Sequence, residues 1–252
     1  MKMKPNTTIK LSALLVSCIF SGISVADAEK AGITLLAKGN VTATAGQDIR
    51  KLKRRSAIHE SEVLETGNES RAQFRMQDGA VIALQENSSL SLLEYQYKQP
   101  GSDDSVIMKL TKGGLRTISG AVGKDDPKDY RLETPLATIG IKGTVYEAEL
   151  AGDNLFVAFW KGRGKVTAPG CDASLGDGHP FRIVRVSAAG ECELLEFDGG
   201  RSPFSAGHSM DPTTGPDDDP LNLDSFGPTS GDPDSGLPFF PNEVLDSGGG
   251  IY

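Results

Sequence analysis

Residues 134–150 read TPLATIGIKGTVYEAEL, and the rest of the chain is organised around them. A proline opens the run, the β-branched residues Ile139, Ile141 and Val145 recur at even spacing, and Gly140 and Gly143 stand three apart. A period of two with glycines inside it predicts a buried strand that starts at Pro135 and is bent or bulged at both glycines. The stretch holds no nucleophile and no phosphate cradle. By itself it marks a core corner of an all-β domain.

The same alternation extends on both sides. The clearest hairpin spans Arg71 to Leu84: Ala72, Phe74 and Met76 alternate with polar residues, Asp78-Gly79 follows, then Ala80, Ile82 and Leu84. Asp-Gly suits the positive φ angles of a type I′ turn, which puts both apolar sets on one face. Further strands are expected at 39–44, 62–66, 90–95, 106–110, 115–118, 130–133, 155–160, 165–168, 181–186 and 194–197. No window sustains a helical period. About a dozen short strands, spaced roughly 8 to 12 residues apart, predict a β-roll, a sandwich or a short β-solenoid. Gly39-Asn40-Val41-Thr42-Ala43 is echoed by Gly164-Lys165-Val166-Thr167-Ala168, and both copies are expected at domain edges.

Composition agrees with this fold class. In 252 residues, 38% are hydrophobic, only 6% are aromatic, and glycine and proline are abundant. The formal net charge of −8 is concentrated at the end: from Ser202 onward there are about nine carboxylates and no lysine or arginine. The body before it is close to neutral, which argues against a nucleic-acid-binding domain. Rich in Asp, Pro, Gly and Ser, residues 201–252 read as a disordered tail. Their apolar islands, Leu221 to Phe226 and Leu237 to Leu245, are candidates for docking onto a partner or back onto the β domain.

The opening of the chain reads as an export address. Lys2, Lys4 and Lys10 precede an apolar run from Leu11 to Val25 and the small-residue pattern Ala26-Asp27-Ala28, as in a cleaved signal peptide covering 1–28. The apolar run is short for a membrane anchor, which needs roughly 20 residues. Leu15-Val16-Ser17-Cys18 also resembles a lipobox, so lipoprotein anchoring at Cys18 is a minor alternative. Cleavage after Ala28 removes Cys18 and leaves Cys171 and Cys192. In an oxidising compartment these are expected to form a disulfide, the alternative being two buried thiols.

Several pieces of the chain, taken in order, resemble the FecR-type periplasmic domain. They are Gly39 to Val41, then Val63 to Gly67, Arg71 to Phe74, Asp78-Gly79, Val81-Ile82 and Asn87-Ser88, then a Gly-Gly-Leu115 strand, and finally Thr134-Pro135 followed by Gly140-Ile141-Lys142-Gly143-Thr144. Where this chain has Lys142 the family usually shows arginine; the swap keeps a cation and loses its planar fork. The resemblance covers roughly residues 39–150 and implies a domain in 29–200, with 151–200 as a shorter β extension. It also implies association with envelope signalling. Sigma-factor regulators of the family resemble a cytoplasmic helical segment, a membrane helix and then this domain. Only a short leader precedes the domain here, so the sigma-factor role is not carried over.

Candidate chemistry is sparse. His59, His179 and His208 lie far apart with no ligand spacing, and no G-x-S-x-G elbow occurs. Asp103-Asp104 and Asp125-Asp126 read as turn carboxylates, and Asp217-Asp218-Asp219 and Asp232-Pro233-Asp234 lack the spacing of a calcium loop. Lys161-Gly162-Arg163-Gly164-Lys165 reads as a turn between strands. Arg50, Lys51, Lys53, Arg54 and Arg55 crowd five cations into six residues of an expected loop, and are the candidate anion or partner patch. The reading is a non-enzymatic binding module with no cofactor and no metal. Its partner is an envelope protein or, alternatively, a cell-wall glycan or peptidoglycan, with the tail as spacer.

Overall fold

A computed structural model describes residues 29–98, 104–125 and 128–196; the leader, Cys18 and the acidic tail lie outside them. Within the described residues the chain forms strands β1 (Lys30–Lys38), β2 (Val41–Ala45), β3 (Asp48–Lys51), β4 (Ala57–His59), β5 (Val63–Thr66), β6 (Arg71–Met76), β7 (Val81–Leu84), β8 (Ser89–Gln96), β9 (Ser105–Ile118), β10 (Tyr130–Glu133), β11 (Thr138–Ala151), β12 (Asn154–Ala168), β13 (Cys171–Gly176), β14 (Ile183–Ser187) and β15 (Cys192–Leu195). One helical turn, α1 (Val122–Asp125), follows β9. Every strand pairing is antiparallel except that of β9 with β10.

Three long strands organise the rest, because each belongs to two neighbourhoods. The first half of β9 pairs with β8 and β10, and its second half with β7 and β11. In β11 the first half pairs with β10 and the far half of β12, and the second half with β9 and the near half of β12. The near half of β12 carries β14, and its far half carries β13. The three switches fall at Gly113 (φ 71), Gly143 (φ 59) and Gly162 (φ 72). Such angles strain a residue that has a Cβ, so glycine lets each strand turn the corner without ending. One half of the sheet thus runs β3-β2-β5-β8-β9-β10-β11-β12-β13 and the other β4-β1-β6-β7-β9-β11-β12-β14-β15. Inward residues of both halves, among them Leu64, Met108 and Ile139 from one and Phe74, Leu115 and Val157 from the other, join a single core. The all-β expectation holds, in the form of one open mixed sheet.

Several boundaries depart from the sequence-based expectation. Segments 106–110 and 115–118 are one strand, as are 155–160 and 165–168, because Gly113 and Gly162 make bends where turns were expected. For the same reason Lys161 to Lys165 is a bulged stretch inside β12. Pro135 does not open a strand. Thr134 to Ala137 form the turn between β10 and β11, in which the Thr134 hydroxyl accepts from the amides of Leu136 and Ala137 and donates to the Ala137 carbonyl. Gly140 sits in unbroken register opposite Lys165, so the bulge belongs to Gly143 alone. Of Asp78-Gly79, only Gly79 has positive φ (85°); the Met76 amide donates to the Ala80 carbonyl, and the Met76 carbonyl accepts from the Gly79 amide. This is a three-residue loop with a glycine bulge, not a type I′ turn. Strands β1, β3, β4 and β13 were not foreseen, and the 164–168 copy of the echo lies inside the sheet, between β11 and β13.

Candidate functional site

Residues of the 134–150 stretch and their partners build a corner. Thr144 accepts from the Ser119 amide through its own carbonyl, its amide donates to Ser119 Oγ (2.8 Å), and its hydroxyl donates to the Arg163 carbonyl (3.1 Å). Thr144 therefore fastens β11 to the end of β9 and to the β12 bulge. Behind it Tyr130 and Tyr146 share a 2.6 Å hydroxyl contact, with rings packed edge to face, and Phe159 lies against Tyr146. Burial pushes the Tyr146 phenol up to about 12. Asp78 is also buried, and its Oδ1 accepts from the Tyr95 hydroxyl and the Ala80 amide. These residues act as structural fasteners, and none presents a reactive group to solvent.

Outside this corner the same strands form a groove of about 520 Å³. Register explains its shape. Lys165 of β12 faces Gly140 on one side and Ser174 on the other, while Lys142 faces Arg163. A glycine and a serine in the middle of the row leave a trough between long side chains. The floor at Gly164 is thin, since a Cβ there would lie 2.1 Å from Phe159 Cε1. Lys128, Arg131, Lys142, Arg163 and Lys165 line the trough, and His179 joins them at one end. Arg131 is paired with Glu133 at 3.0 Å and Lys165 with Asp172 at 2.9 Å. Lys142 and Arg163 are exposed and meet no carboxylate among the described residues. Asp177 accepts from Arg182 (2.9 Å) and from the Gly162 amide (2.8 Å), and these bonds keep its carboxyl below the usual range. The trough suits an extended anionic segment with some apolar character. Sequence reasoning missed it because its cations come from strands far apart in the chain.

The basic cluster 50–55 is divided by the fold. Arg50 turns back to Glu62, which is only 4% exposed, placing Nη2 2.8 Å from each carboxylate oxygen and 2.6 Å from the Ala57 carbonyl. The His59 amide also donates to Glu62, and the His59 ring stands 3.4 Å from it. Arg50 is a structural residue. Lys51, Lys53, Arg54 and Arg55 are exposed. Arg50 and Lys51 belong to β3, which pairs only with β2 among the described residues and carries Ile49 at 70% exposure. An edge strand with an exposed isoleucine and flanking cations is the second candidate surface.

The remaining candidates do not converge. His59 and His179 lie in different parts of the fold, and His208, Asp103 and Asp126 are outside the described residues. Asp104 accepts the Lys98 amide in a loop. Among the described residues no three His, Cys, Asp or Glu side chains gather as a metal site would require. Glu147 and Glu149 are buried on β11, and Trp160 donates to Glu147 at 3.0 Å. Cys171 and Cys192 form the expected disulfide, with Cα atoms 5.2 Å apart.

Comparison with known proteins bears on the same corner. No curated protein matches the chain. Two crystal structures of a candidate anti-sigma factor from Parabacteroides distasonis ATCC 8503 are similar at 17% identity, with TM-scores of 0.45 and 0.43; each match covers 55% of this chain and 61% of the other. The chain thus spans less than two thirds of the length of those proteins. The family described as FecR protein matches residues 62–163, from buried Glu62 through the 71–84 hairpin and β11 to Arg163 in the groove. Over residues 62–163 the chain is similar to the FecR protein family.

Proposed function

We propose that the chain is an exported FecR-domain protein that acts in the cell envelope as a non-catalytic binding module, engaging a protein partner along the free edge of β3. The FecR domain supports a signalling and regulatory role. The disulfide suits an oxidising compartment. No helix among the described residues is long and apolar enough to cross a membrane, which leaves β-barrels aside.

The observation that carries the mode of binding is the exposure of Ile49 on a strand paired on one side only. An open edge offers unpaired main-chain groups to an added strand, and neighbouring side chains set its identity. Lys51, Lys53 and Arg54 would repel a second copy of this edge and favour a strand bearing carboxylates. The test is capture from an envelope fraction by the mature full-length protein and by an Ile49→Asp, Lys51→Glu, Lys53→Glu variant of unchanged melting temperature. A protein partner held by the wild type and lost from the variant supports the reading. Equal capture by both, or binding to isolated cell-wall polymer in place of protein, overturns it.

A further inference from the structure

We infer that the cation-lined groove between β11 and β12 is a docking site for the chain's own acidic tail, and that residues 217–226, DDDPLNLDSF, are the segment that occupies it. This inference is independent of the partner proposed for the β3 edge.

Three observations point to this occupant. The first is charge. Lys142 and Arg163, facing each other across the trough, find no carboxylate among the described residues, whereas the tail from Ser202 onward carries about nine carboxylates and no lysine or arginine. The second is shape. A trough floored by Gly140 and Gly164 and walled by Lys and Arg stems suits an extended peptide that carries both carboxylates and apolar groups; the three aspartates of 217–219 are followed by Leu221, Leu223 and Phe226.

The third is where the chain leaves the fold. Leu195 at the end of β15 pairs with Ile183, which pairs with Ala158 of β12. β15 is antiparallel to β14 and β14 to β12, so β15 ends running in the direction in which β12 goes on to Arg163. From Ala158 to Gly164 is six strand residues, about 20 Å at roughly 3.3 Å each. Taken as a statistical coil, the roughly 20 residues between Glu196 and Asp217 span about 25 Å, so the tether matches the gap. Its effective concentration is then in the millimolar range. The basic loop at 50–55 is a poorer target. It lies beyond β3, seven strand positions from β12 in that half of the sheet, or about 30 Å further at roughly 4.8 Å per strand.

A docked tail makes the groove a regulated surface. Any competing anion must displace a tethered segment, and a tenfold excess of the closed form weakens the competitor's apparent affinity about tenfold. Salt acts on the same contact, because the screening length falls from about 10 Å at about 0.1 M to about 3 Å at about 1 M.

The test is zero-length carbodiimide cross-linking of the full mature chain at low concentration, read by mass spectrometry on an equal mixture of unlabelled and ¹⁵N-labelled protein. The expected result is cross-links within one molecule, joining Lys142, Lys165 or Lys128 to Asp217, Asp218, Asp219 or Asp224. Their yield should fall about tenfold in about 1 M salt. It should fall similarly in Lys142→Glu with Arg163→Glu, both exposed positions, and recover when Asp217, Asp218 and Asp219 are changed to Lys in that background, read by glutamate-to-lysine links. Links from the tail to Lys51 or Lys53, links between differently labelled molecules, or a yield unchanged by the charge reversal each overturn the inference.

Discussion

Tyr95 donates its phenolic hydrogen to Asp78 Oδ1 at 2.6 Å, across 17 residues of sequence and with both groups buried. The bond ties β8 to the loop between β6 and β7, so two separate hairpins share one polar contact inside the core. Asp78 Oδ2 has no partner of its own among the described residues. The contact with Tyr95 therefore matters more than an average hydrogen bond, because losing it leaves most of a buried carboxyl group unsatisfied.

Tyr95→Phe keeps the ring and removes the donor. It is expected to lower unfolding stability by about 2 kcal/mol, read from the shift of the urea midpoint at unchanged slope. A change below about 0.5 kcal/mol would place the variant among ordinary surface substitutions and would mean that Asp78 is satisfied by water.

Tyr95, Tyr130 and Tyr146 all hold their protons above the ordinary phenol value of 10, chiefly because burial disfavours the phenolate. The folded state thus keeps protons that the unfolded chain has released, and stability must fall as pH rises above 10 while staying indifferent to these groups below it. Tyr146, pushed up to about 12, alone contributes a loss on the order of 3 kcal/mol across that window. Tyrosinate absorbance and circular dichroism followed together should show the buried phenols ionising only as the fold is lost.

Gly143 and Gly162 both have positive φ, but a Cβ at Gly143 meets open space while one at Gly162 would lie 1.9 Å from the Gly143 carbonyl oxygen. Gly143→Ala should cost about 1 kcal/mol, the strain of a left-handed alanine. Gly162→Ala adds a backbone collision and should cost about 3 kcal/mol or more. Thermal melts of the two variants side by side measure the difference, and equal costs would show that the corner yields freely.

The disulfide closes a loop with a sequence separation of 21 and pins β15, a strand that pairs only with β14 among the described residues. Replacing Cys171 and Cys192 by Ala should lower stability by about 3 kcal/mol. Reductant should destabilise the native protein by a similar amount and leave the double variant unchanged in denaturant titrations.

Within the basic cluster, Arg50→Ala should cost about 2 kcal/mol, since it strands the nearly buried Glu62 carboxylate that also receives the His59 amide. Lys51→Ala and Lys53→Ala should each stay within about 0.5 kcal/mol. Guanidinium denaturation of the three single variants distinguishes the one structural cation from its exposed neighbours.

Much of this protein follows from nearest-neighbour chemistry, and that much was legible in the sequence. Alternation in 71–84 placed Phe74 and Ile82 on one buried face, because period-two patterning is a local property, the 134–150 run lies inside the stretch that the FecR family matches, and the cysteine pair formed as expected. The corners were visible only as glycines. Whether Gly113, Gly143 and Gly162 end a strand or bend it depends on which partner continues alongside, and Gly140, equally suggestive, lies in straight register. Tertiary structure also chose between cations that look alike in sequence, taking Arg50 into a buried pair with Glu62 and leaving Lys51 in solvent. The groove was beyond any local reading, since Arg131, Lys142 and Lys165 become neighbours only when three strands align, and register is a property of the assembled sheet.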